Sequence, residues 1–212
     1  DKGIFSVLKT GMYINGPDVK QFEVELANYL NVKNCISCAN GTDAITLALF
    51  AHDISSGYVI TPSHTAPASI LGIINAGCKP LFVDVDPETA LICINEVEEK
   101  LRNKPNIKAI LAVHLYGNGI NMPKLNKVAR SYNCIVIEDC AQSAGTKILG
   151  KYVGTFSDAG TFSFFPTKNS LRATRANRFS PSFLQNSMYN NTNIIFQGVY
   201  HSSRSMGCES LQ

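Results

Sequence analysis

Apolar positions recur at near-helical spacing from Asp18 to Leu30, where Val19, Phe22, Leu26 and Leu30 form a stripe with Glu23 and Glu25 outside it. A short strand-like run, Cys35 to Ala39, follows. Asn40-Gly41-Thr42-Asp43 then opens a second apolar helix from Ala44 to Phe50. The alternation continues with a strand at Tyr58–Pro62, a helix at Ala66–Ala76 stopped by Gly77, and a strand at Pro80–Val85. An acidic helix at Ile94–Arg102 and a buried strand at Ala109–Val113 come next. A helix at Pro123–Tyr132 carries proline at its start, and further strands are predicted at Cys134–Ile137 and Gly160–Phe165. From Leu171 to Gln212 no helical or strand period is evident.

Strands rich in Val and Ile that alternate with helices predict an α/β fold, a mostly parallel sheet with helices on both faces. Ligands of such sheets gather beyond the carboxyl ends of the strands, so the polar residues just after each strand are the ones to read.

The 212 residues are 45% hydrophobic and 17% charged, which permits a sizeable core and excludes wholesale disorder. No apolar run approaches the roughly 20 residues of a membrane span, and the first ten residues, which lack a starting Met, carry no basic-then-apolar signal pattern. Seven cysteines without framework spacing fit a reduced, cytoplasmic protein. The net charge of +3 is too small to imply nucleic acid. Its placement is uneven: residues 1–168 hold 15 basic and 15 acidic residues, whereas residues 169–212 hold four Arg, no Lys and one acid, Glu209. That break predicts a boundary, with a domain over 1–169 and an aberrant, poorly structured tail over 170–212.

Four strand-end segments carry candidate chemistry. Gly41-Thr42 at a helix start offers free N–H groups, a hydroxyl and the positive end of the helix dipole; it is either a plain cap or an anion site. Asp139 ends a buried strand, where a carboxylate is costly without a positive charge or donors; it either faces a cationic nitrogen or caps the next turn, and Gln142 follows three residues on. Lys168 lies just past Ser163-Phe164-Phe165-Pro166-Thr167; it is either a surface lysine or an amine made nucleophilic by desolvation. His64 follows the strand ending at Pro62 and could stack on a ring, transfer a proton or be structural. Together these are the groups a pyridoxal 5'-phosphate site needs: a Schiff-base lysine, a partner for the pyridinium nitrogen and a phosphate cradle.

Residues 11–169, about three-quarters of the chain, resemble the large domain of the DegT/StrS-type sugar-nucleotide aminotransferases, which are fold-type I pyridoxal phosphate enzymes. The resemblance rests on Gly16-Pro17-Asp18-Val19, Asn40-Gly41-Thr42-Asp43-Ala44, Thr61-Pro62-Ser63-His64-Thr65, Phe82-Val83-Asp84-Val85 and His114-Leu115-Tyr116-Gly117. It continues through Glu138-Asp139-Cys140-Ala141-Gln142 and Ser163-Phe164-Phe165-Pro166-Thr167-Lys168-Asn169. It implies that Lys168 binds the cofactor covalently and shuttles the proton, Asp139 pairs with the ring nitrogen, and Gln142 contacts the ring hydroxyl. It further implies that Gly41, Thr42 and Ser163 hold the phosphate. The implied reaction moves an amino group from an amino acid, usually glutamate, to a keto sugar nucleotide for cell-surface polysaccharide biosynthesis. The implied assembly is a homodimer, and no metal is called for. A related dehydratase branch has His where Lys168 stands, so the lysine favours transamination.

Three departures qualify the resemblance. Ala66 stands where the family often has an aromatic that stacks on the cofactor, which leaves that role to His64. Ser55-Ser56-Gly57-Tyr58 is shorter than the family's turn there. After Asn169 the family continues with a Gly-rich run and a small C-terminal domain, whereas this chain reads Ser170-Leu171-Arg172-Ala173-Thr174-Arg175-Ala176. Shifting the possible codons of Leu171 to Ala176 by one nucleotide permits Ala-Gly-Asp-Ala-Gly, so a reading-frame change near Asn169 is expected. The chain is then a truncated enzyme, inactive or poorly folded as it stands. The competing expectations are a non-catalytic binding or regulatory protein that keeps the cofactor fold, and a degenerate gene product. Cys35-Ile36-Ser37-Cys38 has a C-x-x-C spacing, but in a buried strand without a second pair it reads as core packing. Glu96, Glu98, Glu99 and Lys100 read as a solvated helix face.

Overall fold

The computed structural model describes residues 2–12, 16–164 and 194–198. It opens on a helix the periodicity did not predict, α1 (Lys2–Thr10), which ends where Gly11 turns left-handed (φ 67°) and its N–H meets the Val7 carbonyl. Helix α2 (Pro17–Leu30) begins with proline in its first turn and is closed by Asn31 in the left-handed region. Its stripe is as expected, with one correction. Glu23 is buried rather than outside, and its Oε1 accepts the Ser37 N–H at 2.8 Å. A carboxylate tolerates burial when a backbone donor meets it.

The remaining elements are β1 (Asn34–Cys38), α3 (Gly41–Phe50), β2 (Tyr58–Pro62), α4 (Pro67–Asn75), β3 (Lys79–Val83), α5 (Ile94–Asn103), β4 (Ile107–Val113), α6 (Met122–Ser131), β5 (Ile135–Asp139), the hairpin β6 (Lys147–Ile148) and β7 (Lys151–Tyr152), β8 (Ala159–Ser163) and β9 (Ile194–Gly198). Among the described residues seven strands form one sheet in the order β1-β9-β8-β5-β4-β2-β3, and every neighbouring pair is parallel. Tertiary burial explains the continuous apolar runs. Ala109, Ile110, Leu111 and Ala112 of β4, and Ile137 of β5, are fully buried, as strands covered on both faces must be. α3 and α4 pack as one pair, with α3 against β5, β8 and β9, while α5 and α6 form a second pair.

β9 differs from the expectation for residues 170–212. It pairs with β1 on one side (Cys35 opposite Ile195) and with β8 on the other (Gly160 opposite Ile195). Open ladders on both neighbours recruit backbone whatever its side-chain period, which is why periodicity did not reveal it.

The contact between α3 and α4 is unusually close. A Cβ on Gly72 would come within 2.8 Å of Ile45 Cβ and 3.0 Å of the Thr42 carbonyl. The Thr46 hydroxyl bridges the pair by reaching both the Thr42 and the Gly72 carbonyls, at 3.1 and 3.0 Å. That contact locks the first half of α3 against the second half of α4, and the starts of both helices lie at the carboxyl edge of the sheet.

Candidate active site

At that edge a cavity of about 210 Å³ is lined by Gly41, Thr42, Ser69, Asp139, Gln142 and Ser163, with Asn40, Thr65 and several apolar residues between them. Five of the residues expected at the site from sequence therefore meet in one place: Gly41, Thr42, Asp139, Gln142 and Ser163. They arrive from the ends of β1, β5 and β8, beyond the carboxyl ends of the strands as expected. Lys168 lies outside the described residues.

One wall presents donors of the kind an anion needs. Asn40 caps α3, its Oδ1 accepting the Asp43 N–H at 2.9 Å and its Nδ2 donating to Asp43 Oδ2 at 2.7 Å. Capping and anion binding are thus compatible, because the first amides of the helix, on Gly41 and Thr42, have no carbonyl of their own turn to meet. Glycine keeps this approach close: a Cβ on residue 41 would stand 3.3 Å from Ser163 Cβ, tighter than ordinary contact, and 3.7 Å from its Oγ. The helix start lies flush against the end of β8, so the Ser163 hydroxyl and the two amides face one small space.

Asp139 forms the other wall and is 4% exposed. Its Oδ2 accepts the Ser69 hydroxyl at 2.7 Å and its Oδ1 accepts the Ala141 N–H at 3.0 Å, which offsets the cost of burying a carboxylate. Gln142 Oε1 accepts the backbone N–H of Tyr116 at 3.1 Å. Since that partner can only donate, the amide orientation is fixed, and Gln142 keeps its NH₂ donors for other acceptors. Tyr116 itself is left-handed (φ 55°, ψ 24°), a conformation that costs a bulky residue about 1–3 kcal/mol.

His64 does not line the cavity. It is exposed at the rim, its Nε2 3.2 Å from the Tyr116 hydroxyl and its ring 5.9 Å from the tyrosine ring. Sequence reasoning also missed Ser69, a small polar residue in a helix with no local signal to mark it.

Beneath the cavity floor lies a buried network. Glu138 is fully buried; Oε1 accepts the N–H groups of Phe156 and Ser157, and Oε2 accepts those of Gly154 and the His114 ring. His114 Nδ1 accepts the Ile120 N–H at 3.1 Å, so its proton is on Nε2 and the ring is neutral. His114, Glu138 and Cys140 place their donor atoms within 4.8 Å of one another, but the lone pairs of the first two already hold hydrogens. The cluster is a structural hydrogen-bond network, and burial pushes the Cys140 thiol well up in pKa, with Glu138 adding to it. Burial pushes the Cys35 and Cys38 thiols up in pKa, Cys38 to about 12, in keeping with core packing.

A parallel sheet that brings a helix start and a buried strand-end carboxylate to one cavity beyond its strand ends has the arrangement in which α/β folds bind ligands. Residues 2–174 match the DegT/DnrJ/EryC1/StrS aminotransferase family, and the chain belongs to that family. It is 47% identical over 159 residues to the dTDP-3-amino-3,6-dideoxy-alpha-D-galactopyranose transaminase of Aneurinibacillus thermoaerophilus, covering 74% of this chain and 43% of that protein. It is 43% identical over 164 residues to a pleiotropic regulatory protein of Geobacillus stearothermophilus, covering 77% and 44%. Among solved structures, a DegT DnrJ EryC1 StrS aminotransferase from Brucella abortus aligns with a TM-score of 0.75 at 35% identity, over 79% of this chain and 46% of that one. NtdA from Bacillus subtilis, solved with bound cofactor PMP, aligns with a TM-score of 0.67 at 36% identity, over 72% and 35%. The chain spans less than half the length of these relatives.

Proposed function

We propose that the chain is the cofactor-binding part of a pyridoxal 5'-phosphate-dependent aminotransferase that moves an amino group from an amino acid, glutamate first, to a keto sugar nucleotide. The product would serve cell-surface polysaccharide biosynthesis in the cytoplasm. The observation that carries this reading is the pairing, across one cavity, of an anion-binding helix start with a buried strand-end carboxylate. The residues present fit the cofactor: Gly41 leaves room that a Cβ would fill, and Gly41, Thr42 and Ser163 supply N–H and O–H donors suited to a phosphate. Pyridoxal phosphate, when bound, supplies an electron sink for the carbon that loses or gains the amino group.

The chain's own residues would do the rest. The Gly41 and Thr42 amides with the Ser163 hydroxyl bind the phosphate, aided by the positive end of α3. Asp139 accepts the ring N–H and keeps that proton in place. Gln142 turns its NH₂ donors toward the ring oxygen, and His64 with Tyr116 borders the mouth. Lys168 is the proposed covalent anchor and proton carrier. A homodimer is the proposed assembly. We propose a change of reading frame near residue 169, which the gene sequence across codon 169 tests directly.

The test of the main reading is borohydride reduction of the full chain with pyridoxal phosphate, followed by peptide mapping. A stable mass increase on the peptide holding Lys168, absent in Lys168→Ala, is expected; labelling that is unchanged in Lys168→Ala would refute the assignment. A second reading, a regulatory protein on the same fold, is favoured by the 43% identity to the pleiotropic regulatory protein. In cells, a phenotype that survives Lys168→Ala would support it over the enzyme.

A further inference from the structure

Asp139 is held from two sides by groups on different elements. Ala141 reaches Oδ1 through its backbone N–H, from the loop after β5, and Ser69 reaches Oδ2 through its hydroxyl, from the first turn of α4. Ser69 is 2% exposed, and its oxygen in turn lies 3.0 Å from the Thr65 hydroxyl. An ionised carboxylate only accepts, so the single hydrogen of Ser69 goes to Asp139 and that of Thr65 goes to Ser69. The result is a directed chain, Thr65 to Ser69 to Asp139, running along the start of α4. The terminal torsion of an aspartate is otherwise broad, and it is this torsion that aims the lone pairs.

We propose that Ser69 is the positioning residue of Asp139: its hydroxyl, ordered by Thr65, fixes the carboxylate plane so that the remaining lone pairs meet a ring N–H in the cavity. The inference rests on the pyridoxal phosphate reading above and deepens it. Ser69 adds specificity for a protonated heteroaromatic nitrogen, because a carboxylate held by one donor on each oxygen keeps its plane and its remaining lone pairs fixed. The Gly72 contact adds a second consequence. α3 carries the anion wall and α4 carries Ser69, so their fixed packing sets the span between phosphate and ring nitrogen.

The experiment measures binding of pyridoxamine 5'-phosphate, which needs no bond to Lys168, to the full chain by ring fluorescence and absorption. Ser69→Ala, Ser69→Thr, Ser69→Cys and Asp139→Asn are compared, each with its thermal midpoint without ligand. Loss of one hydrogen bond to a charged group predicts about tenfold weaker binding in Ser69→Ala, with a shifted absorption band. Ser69→Thr, which keeps the hydroxyl, should restore both to within about twofold, and Ser69→Cys, a weak donor of similar volume, should fall between. Ser69→Ala binding as tightly as the unsubstituted chain, while Asp139→Asn binds weakly, would overturn the role of Ser69 alone. Failure of the unsubstituted chain to bind, or tight binding by Asp139→Asn, would overturn the cofactor reading and this inference with it. Should Ser69→Ala not fold, Ser69→Cys and Ser69→Thr decide: equal binding by the two overturns the proposal.

Discussion

Glu138→Gln replaces one carboxylate oxygen with NH₂ and leaves the volume unchanged, so its effect isolates hydrogen bonding. In the folded protein Oε1 takes two hydrogens, from Phe156 N at 2.8 Å and Ser157 N at 3.0 Å, and Oε2 takes two, from Gly154 N at 2.8 Å and His114 Nε2 at 3.0 Å. Whichever way the amide turns, its NH₂ faces two donors. The histidine cannot relieve the conflict by moving its proton to Nδ1, because that nitrogen already accepts the Ile120 N–H. Two buried donors are orphaned at about 1–3 kcal/mol each, so the loss should be roughly 2–6 kcal/mol. A domain's whole stability is about 5–15 kcal/mol, so the variant should unfold at much lower urea, or be unfolded throughout. Urea titration followed by circular dichroism measures this. A change below about 0.5 kcal/mol, the range of an ordinary surface substitution, would refute the assignment of hydrogens in this network.

Two further outcomes follow from the geometry. Gly72→Ala puts a methyl group 2.8 Å from Ile45 Cβ and should cost about 1–3 kcal/mol in urea titration; a neutral or stabilising result would mean the α3–α4 contact is looser than described. Burial pushes the Cys38 and Cys134 thiols up to about 12. The unfolded chain releases those protons from about pH 8.5, so it binds fewer protons than the folded one and stability should fall as pH rises from about 9 toward 12. The midpoint of urea unfolding against pH checks this, and Cys38→Ala with Cys134→Ala should flatten the slope; an unchanged slope in that double variant would refute the attribution.

What was legible in the sequence was whatever depends on neighbours along the chain. The strands around Ala109–Val113 and Cys134–Ile137 are continuous apolar runs, and their ends announce Asp139 without any tertiary information. Glu23 was illegible, because its burial depends on the Ser37 N–H, fourteen residues away in sequence. Ser69 was illegible for the same reason: its partner is seventy residues on, and nothing local separates it from any other helical serine. His64 carried a chemical signal but not a geometric one. Its side chain turns to Tyr116 at the rim, a contact that depends on a left-handed residue which sequence gives little reason to expect.

The place of β9 has a bearing on how the chain can be divided. β1 delivers Asn40, Gly41 and Thr42 to the cavity, while β5 and β8 deliver Asp139, Gln142 and Ser163, and among the described residues the backbone ladder joins those two sets only through Ile194–Gly198. A fragment ended between residues 169 and 193 would keep every site residue named here and still lose that seam. Its anion wall would then be tied to its acidic wall by helix packing alone.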